Sequence, residues 1–200
     1  MVDAVRGPLS QLGFKKRSGE IFTVDVESGV LGWLGLNHAY RRGEDRLEVN
    51  PVVGVRHQGV EHLVAELRGA KSNAYLPPTV SVPLGYLTAD RKYVPWLFER
   101  GPTTAEVAAD LTSAVARFGV PFMKASSSLS ELRRLIEENT GFAHQLVYRQ
   151  PVVCLLSGDR GAALCVLEAS LAELGGRKDP AAVSFRSFAE RFRDRVDQVA

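Results

Sequence analysis

The pattern of apolar and polar positions changes period near the middle of the chain. Over residues 22–27 the two kinds alternate, as a strand with one wet face requires. Residues 30–40 continue the alternation and put Leu34, Leu36, His38 and Tyr40 on one face, with Trp33 on the other. Residues 46–56 gather Leu47, Val49, Val53 and Val55, and Pro51 inside that run predicts an edge or a bulge. Ser28-Gly29 and Arg42-Gly43-Glu44-Asp45 are turns, so the three runs make an antiparallel meander. Residues 79–87 read as a further strand, and 93–98 as another.

Helical spacing precedes and interrupts these strands. Val2, Val5, Leu9 and Leu12 fall three or four apart, with Pro8 as a start or kink and Gly13 as a stop. Residues 58–68 carry the stripe Val60, Leu63, Val64, Leu67 and end at Gly69. From Gly101 onward the period is about 3.6. Thr103 with Glu106 is a capping box for a helix whose core stripe is Val107, Leu111, Ala114, Val115 and Phe118, and Gly119 ends it. Ser128 with Glu131 is a second box, turning Leu129, Leu132 and Ile136 inward. After Gly141, residues 146–156 and 162–174 form a helical hairpin across Ser157-Gly158-Asp159-Arg160-Gly161. Asp179-Pro180 opens the last helix, where Phe185, Phe188, Phe192, Val196 and Val199 align.

Strands followed by helices predict an α+β fold, an antiparallel sheet in the first half packed with a helical second half. One domain over residues 1–200 is expected, with a β-rich lobe over about 1–100 and a helical lobe over about 101–200. Hydrophobic residues at 45% and charged residues at 24% are those of a folded globular chain. The charge, 25 Lys and Arg against 23 Asp and Glu, is too balanced to indicate nucleic acid as the partner. Nucleic-acid binding would need the arginines of the last helix to align with Lys15-Lys16-Arg17, a run that reads as a solvated turn. Two cysteines, Cys154 and Cys165, sit in apolar contexts and read as small buried hydrophobes in a reducing compartment. With no basic-then-apolar opening and no long apolar run, the chain is expected to be cytoplasmic.

The search for chemistry returns no catalytic, cofactor-binding or metal-ligating residues. His57 and His62 are five apart, which sets them about 140° apart on a helix, and metal ligands one turn apart need four. No nucleophile elbow occurs, and Ser126, Ser127 and Ser128 read as loop and cap. Gly158-Asp159-Arg160-Gly161 lacks the lysine and preceding strand of a phosphate loop and reads as a tight turn. Carboxylate pairs such as Glu137-Glu138 and Glu44-Asp45 lie in helix-surface and turn settings. What remains is aromatic: Trp33 and Tyr40 lie on opposite faces of one strand, so one of them can look outward beside Arg41 and Arg42. Tyr75, Trp96 and Phe98 flank the proline-rich loop 71–78. Trp33, Tyr40, Arg41 and Arg42 are the candidate contacts to a partner protein.

Leu12-Gly13-Phe14-Lys15-Lys16-Arg17 with Phe22, then Phe118-Gly119-Val120-Pro121-Phe122, and the hairpin through Leu156-Ser157-Gly158-Asp159 carry a resemblance. They resemble the uncharacterised bacterial domain-of-unknown-function 4304-like family. The resemblance implies a helix, a Gly-Phe-basic turn, an aromatic-bearing strand and no established catalytic residues. By analogy it implies a component of bacterial competition systems, such as an immunity protein. Residues 71–78 and the Arg-rich last helix depart from that pattern. The functional expectation is a non-enzymatic protein-binding module, an immunity or adaptor protein, without cofactors. The alternative is a small enzyme acting on a nucleotide or peptide, with His38 or His57 beside a carboxylate and an arginine in one pocket.

Overall fold

The alternating runs become strands and the three-and-four runs become helices. A computed structural model describes residues 2–40, 46–99, 103–138 and 143–198, without the side chains of Val2 and Ala143. The chain is α+β, with a six-stranded antiparallel sheet in its first half and helices through its second. Two compact units divide it, Met1–Arg56 with Tyr75–Ser127, and His57–Ala74 with Ser128–Ala200. These units do not follow the expected split near residue 100, because one early helix, 58–67, belongs to the helical unit and the helices over 103–125 belong to the sheet unit.

In the sheet unit, α1 (Val2–Gln11) buries Val5 and Leu9, and Pro8 lies inside it. Strands β1 (Lys15–Lys16), β2 (Ile21–Glu27), β3 (Val30–Tyr40), β4 (Arg46–His57) and β5 (Val80–Pro83) follow in spatial order. The basic run is thus an edge strand rather than a turn, with Lys15 opposite Thr23 and Lys16 opposite Phe22; edge lysines discourage pairing with foreign strands. Strand β6 (Trp96–Glu99) also pairs with β4. Pro51 lies between the two stretches of β4 that pair elsewhere, 46–49 with β6 and 52–55 with β5. A residue without an N–H fits at that handover. The strand expected over 79–87 stops at Pro83, and Leu84–Leu87 is a 3-10 turn.

Gly119 does not end its helix. Helix α3 (Thr103–Ala114) runs through a π turn, Val115–Gly119, into α4 (Val120–Ala125). The wider turn accommodates Pro121, whose ring crowds the carbonyl one turn back in a regular helix. A Cβ on residue 119 would come within 3.1 Å of Val53 Cγ1, so glycine is what permits this approach to β4. The inserted residue also rotates the buried face: Leu111 and Val115 are succeeded by Gly119 and Met123, and Phe118 is only half-buried.

In the helical unit, α2 (Gln58–Leu67) buries Val60, Leu63, Val64 and Leu67. The helices α5 (Leu129–Glu137), α6 (Ala143–Leu156), α7 (Arg160–Leu174) and α8 (Pro180–Gln198) complete it. The stripe of α8 is its core: Phe185, Phe188, Phe192 and Val196 are buried. Each such ring contributes about 1.5–3 kcal/mol by leaving water. Tyr148 of α6 meets Phe185 and Phe188 edge-on, with centroids 5.3 and 5.0 Å away. Beside it Arg149, 2% exposed, grips Glu61 of α2 through Nε and Nη2 at 2.7 and 3.2 Å. Among the described residues no helix is long and apolar enough to cross a membrane.

Candidate functional site

Two places hold exposed chemistry, the end of β3 and a cleft in the helical unit. Along β3 the residues from Gly32 to Leu36 are buried on both faces, and Asn37, His38, Ala39 and Tyr40 are exposed on both. Strand β2 starts opposite Gly35, and the last bond on that side runs from Leu36 N–H to the Glu20 carbonyl. The four exposed residues therefore lie beyond the start of β2. Tyr40 is 74% exposed and takes an edge contact from His38 at 5.8 Å. His38 Nδ1 sits 2.8 Å from Glu20 Oε2, so the histidine is fixed by a carboxylate on the open surface.

Trp33 is 7% exposed, on the face where it pairs with Thr23. Its ring fills the space a Gly35 side chain would occupy. Its Nε1 is buried without a hydrogen-bond acceptor, whereas Trp96 Nε1 donates to Asp110 at 2.8 Å. Of the two candidate aromatics, only Tyr40 is exposed. Arg41 and Arg42 lie outside the described residues. Tyr75 receives the Arg17 guanidinium on its ring at 4.2 Å, and Trp96 and Phe98 are core.

The basic residues are largely engaged within the chain. Lys15 pairs with Asp25 at 3.2 Å, and Arg17 Nε donates to Thr23 at 2.8 Å. On α8, Arg186 donates to the Gly175 and Arg177 carbonyls at the end of α7. Arg193 clasps Glu168 and Arg195 meets Glu66.

The other motifs have local roles. His57 Nδ1 accepts from Val60 N–H at the start of α2, and His62 is exposed. Ser128 accepts from Glu131 N–H, although the Glu131 carboxylate turns to Arg134 rather than completing the box. Thr103 is already helical, and the residue before it is outside the described ones. Gly158, at φ +80°, turns the chain after α6, and Asp159 then caps α7 by accepting from Ala162 N–H at 2.9 Å. That bond, with Arg133 at 2.9 Å, holds the Asp159 carboxyl below its usual range, so the start of α7 is filled by its own anion. Burial pushes the Cys154 thiol up, and Cys165 is exposed rather than buried. It sits on the outer side of α7, a position that flanking Leu164 and Val166 conceal in the sequence. Among the described residues no three His, Cys, Asp or Glu side chains gather as metal ligands.

The sequence pattern did not announce the cleft. It has a volume of about 350 Å³ and lies between α6, the end of α7 and the start of α8. Tyr148 and Phe185 form its aromatic floor, and His144, one turn before Tyr148, stands at its rim with Ser170, Glu173 and Arg177. Arg177 Nε donates to Asp179 at 2.9 Å, and Asp179 also accepts from Ala182 N–H to cap α8. The guanidinium first, and the amide second, hold the Asp179 carboxyl below its usual range. The one sequence signal was the i, i+4 pair His144 and Tyr148, which has no meaning until three helices are known to meet there. No family model, curated protein or solved structure matches this chain.

Proposed function

We propose that this chain is a non-enzymatic binding module that engages a partner protein through the projecting end of β3. One observation carries the proposal: four consecutive strand residues are exposed on both faces, and Tyr40 is the most exposed large hydrophobic side chain among the described residues. A tyrosine offers a large amphipathic contact with few rotamers to freeze. An extended segment that outruns its neighbour can also pair with a partner's strand. Arg41 and Arg42 follow at once in the sequence. The narrower reading, a cytoplasmic bacterial immunity or adaptor protein, rests on the family resemblance alone.

Capture from lysate of the source cell with the tagged wild-type chain and with Tyr40→Ala tests the proposal. A stoichiometric protein retained by the first through a moderate-salt wash and lost by the second is the expected result. Equal retention by both would remove the strand end as the interface, and a blank with both would remove the main support for a binding module.

A second reading, a small enzyme acting on a nucleotide or peptide, is favoured by the cleft, where an imidazole, a carboxylate and a guanidinium gather. Thermal-shift screening of nucleotides and peptides, followed by turnover assays on His144→Ala, separates it from the first. Turnover abolished by that substitution would replace the binding reading.

A further inference from the structure

We infer that the α6–α7–α8 cleft binds a small zwitterion with an apolar body, of the kind a free aromatic or aliphatic amino acid presents. This site is separate from the strand end and does not depend on that proposal. At about 350 Å³ the cleft falls at the small end of ligand sites, which span roughly 300–1,000 Å³. Its floor is apolar, two rings in edge-to-face contact 5.3 Å apart. Such a floor selects for a hydrophobic body but not for charge.

Charge selection belongs to the rim, which holds both signs. Among the described residues the Glu173 carboxylate has neither a hydrogen-bond nor an ion-pair partner. It is an acceptor left for an ammonium group. Arg177 bonds Asp179 through Nε, and no bond within the described residues uses its Nη groups. Those groups remain as a fork for a carboxylate. Further polar capacity comes from the Ser170 hydroxyl. A simple cation would have to tolerate Arg177 on the rim, with Arg186 bonded to its carbonyl and Arg68 on the Tyr148 ring at 4.4 Å. A simple anion would meet Glu173. A molecule carrying both charges satisfies both sides.

The test is a charge series on one apolar body: L-phenylalanine, phenethylamine and 3-phenylpropionate, titrated into the full chain and followed by amide chemical shifts of α6 to α8. L-Phenylalanine should bind most tightly. Glu173→Gln should weaken it about tenfold, to the level of 3-phenylpropionate, and Arg177→Gln by a similar factor, to the level of phenethylamine. Both residues are exposed, so neither substitution threatens folding, and unchanged far-UV circular dichroism verifies this. Binding of either singly charged probe as tightly as L-phenylalanine would overturn the inference, as would shifts outside the cleft or no binding at millimolar concentration.

Discussion

The sheet unit presents its exposed aromatic chemistry on a protrusion, and the helical unit holds its own in a recess. Tyr40 stands on a strand end with water on both faces, and its position costs the fold nothing. Tyr148 and Phe185 floor a cleft only because three helices are pinned around them, with Arg149 and Glu61 joining α6 to α2 and Arg186 closing α7 onto α8. Protrusions suit flat macromolecular partners and recesses suit small ligands. Buried polar atoms without partners occur in both units, the Trp33 indole and the Asn50 amide oxygen in the sheet unit and the Gln145 amide oxygen in α6, while ion pairs such as Arg193–Glu168 and Arg195–Glu66 tie helices of the helical unit together.

The strongest way to break this contrast is to remove one half of the buried ion pair. Arg149→Ala should cost about 3–5 kcal/mol in urea unfolding, because Glu61 is left buried and uncompensated. Amino-acid binding in the cleft should go with it. Replacing both partners, Arg149→Met with Glu61→Leu, should restore stability to the wild-type level or above, since neither charge then needs solvation. A double variant as unstable as the single one would show that packing, not charge, was lost.

A smaller effect separates the two indoles of the sheet unit. Trp96→Phe forfeits a hydrogen bond to a carboxylate, and Trp33→Phe removes a donor that has no acceptor. The first should destabilise by about 1.5 kcal/mol more than the second. Equal costs would mean that the Trp33 indole is satisfied in solution.

Acid should loosen the helical unit gradually. Asp159 and Asp179 have folded-state pKa values below the ordinary value, so their stabilisation is full above about pH 3.9 and is lost as pH falls through the folded values. Asp159→Asn with Asp179→Asn keeps the caps and should flatten the decline in urea midpoint between about pH 4 and 2. An unaltered slope would place the acid sensitivity elsewhere. The smallest effect is expected at Tyr40: alanine there should change stability by no more than about 0.5 kcal/mol while abolishing partner capture.

Much of this architecture was legible from residue spacing. The stripe of α8 and its Asp179-Pro180 opening, the stop after α2 and the hairpin turn at Gly158 follow from local rules, because one turn of helix or two residues of strand suffice to express them. Gly119 misled because a glycine that stops a helix and a glycine that lets a helix approach a sheet look alike in sequence. Only the presence of β4 beneath it decided the matter.

The chain by itself therefore determined most of the elements, their order and the α+β class. It also narrowed the outward aromatic to one of two, since Trp33 and Tyr40 must face opposite ways on a strand. Tertiary structure decided which one: Trp33 lies over Gly35 within the covered part of the sheet, and Tyr40 lies past it. It alone decided that His144, Glu173 and Arg177, 33 positions apart at the extremes, share a rim. Periodicity records the neighbours a residue has along its own helix. The neighbours it acquires from other helices depend on how those helices pack, and no short stretch of sequence carries that.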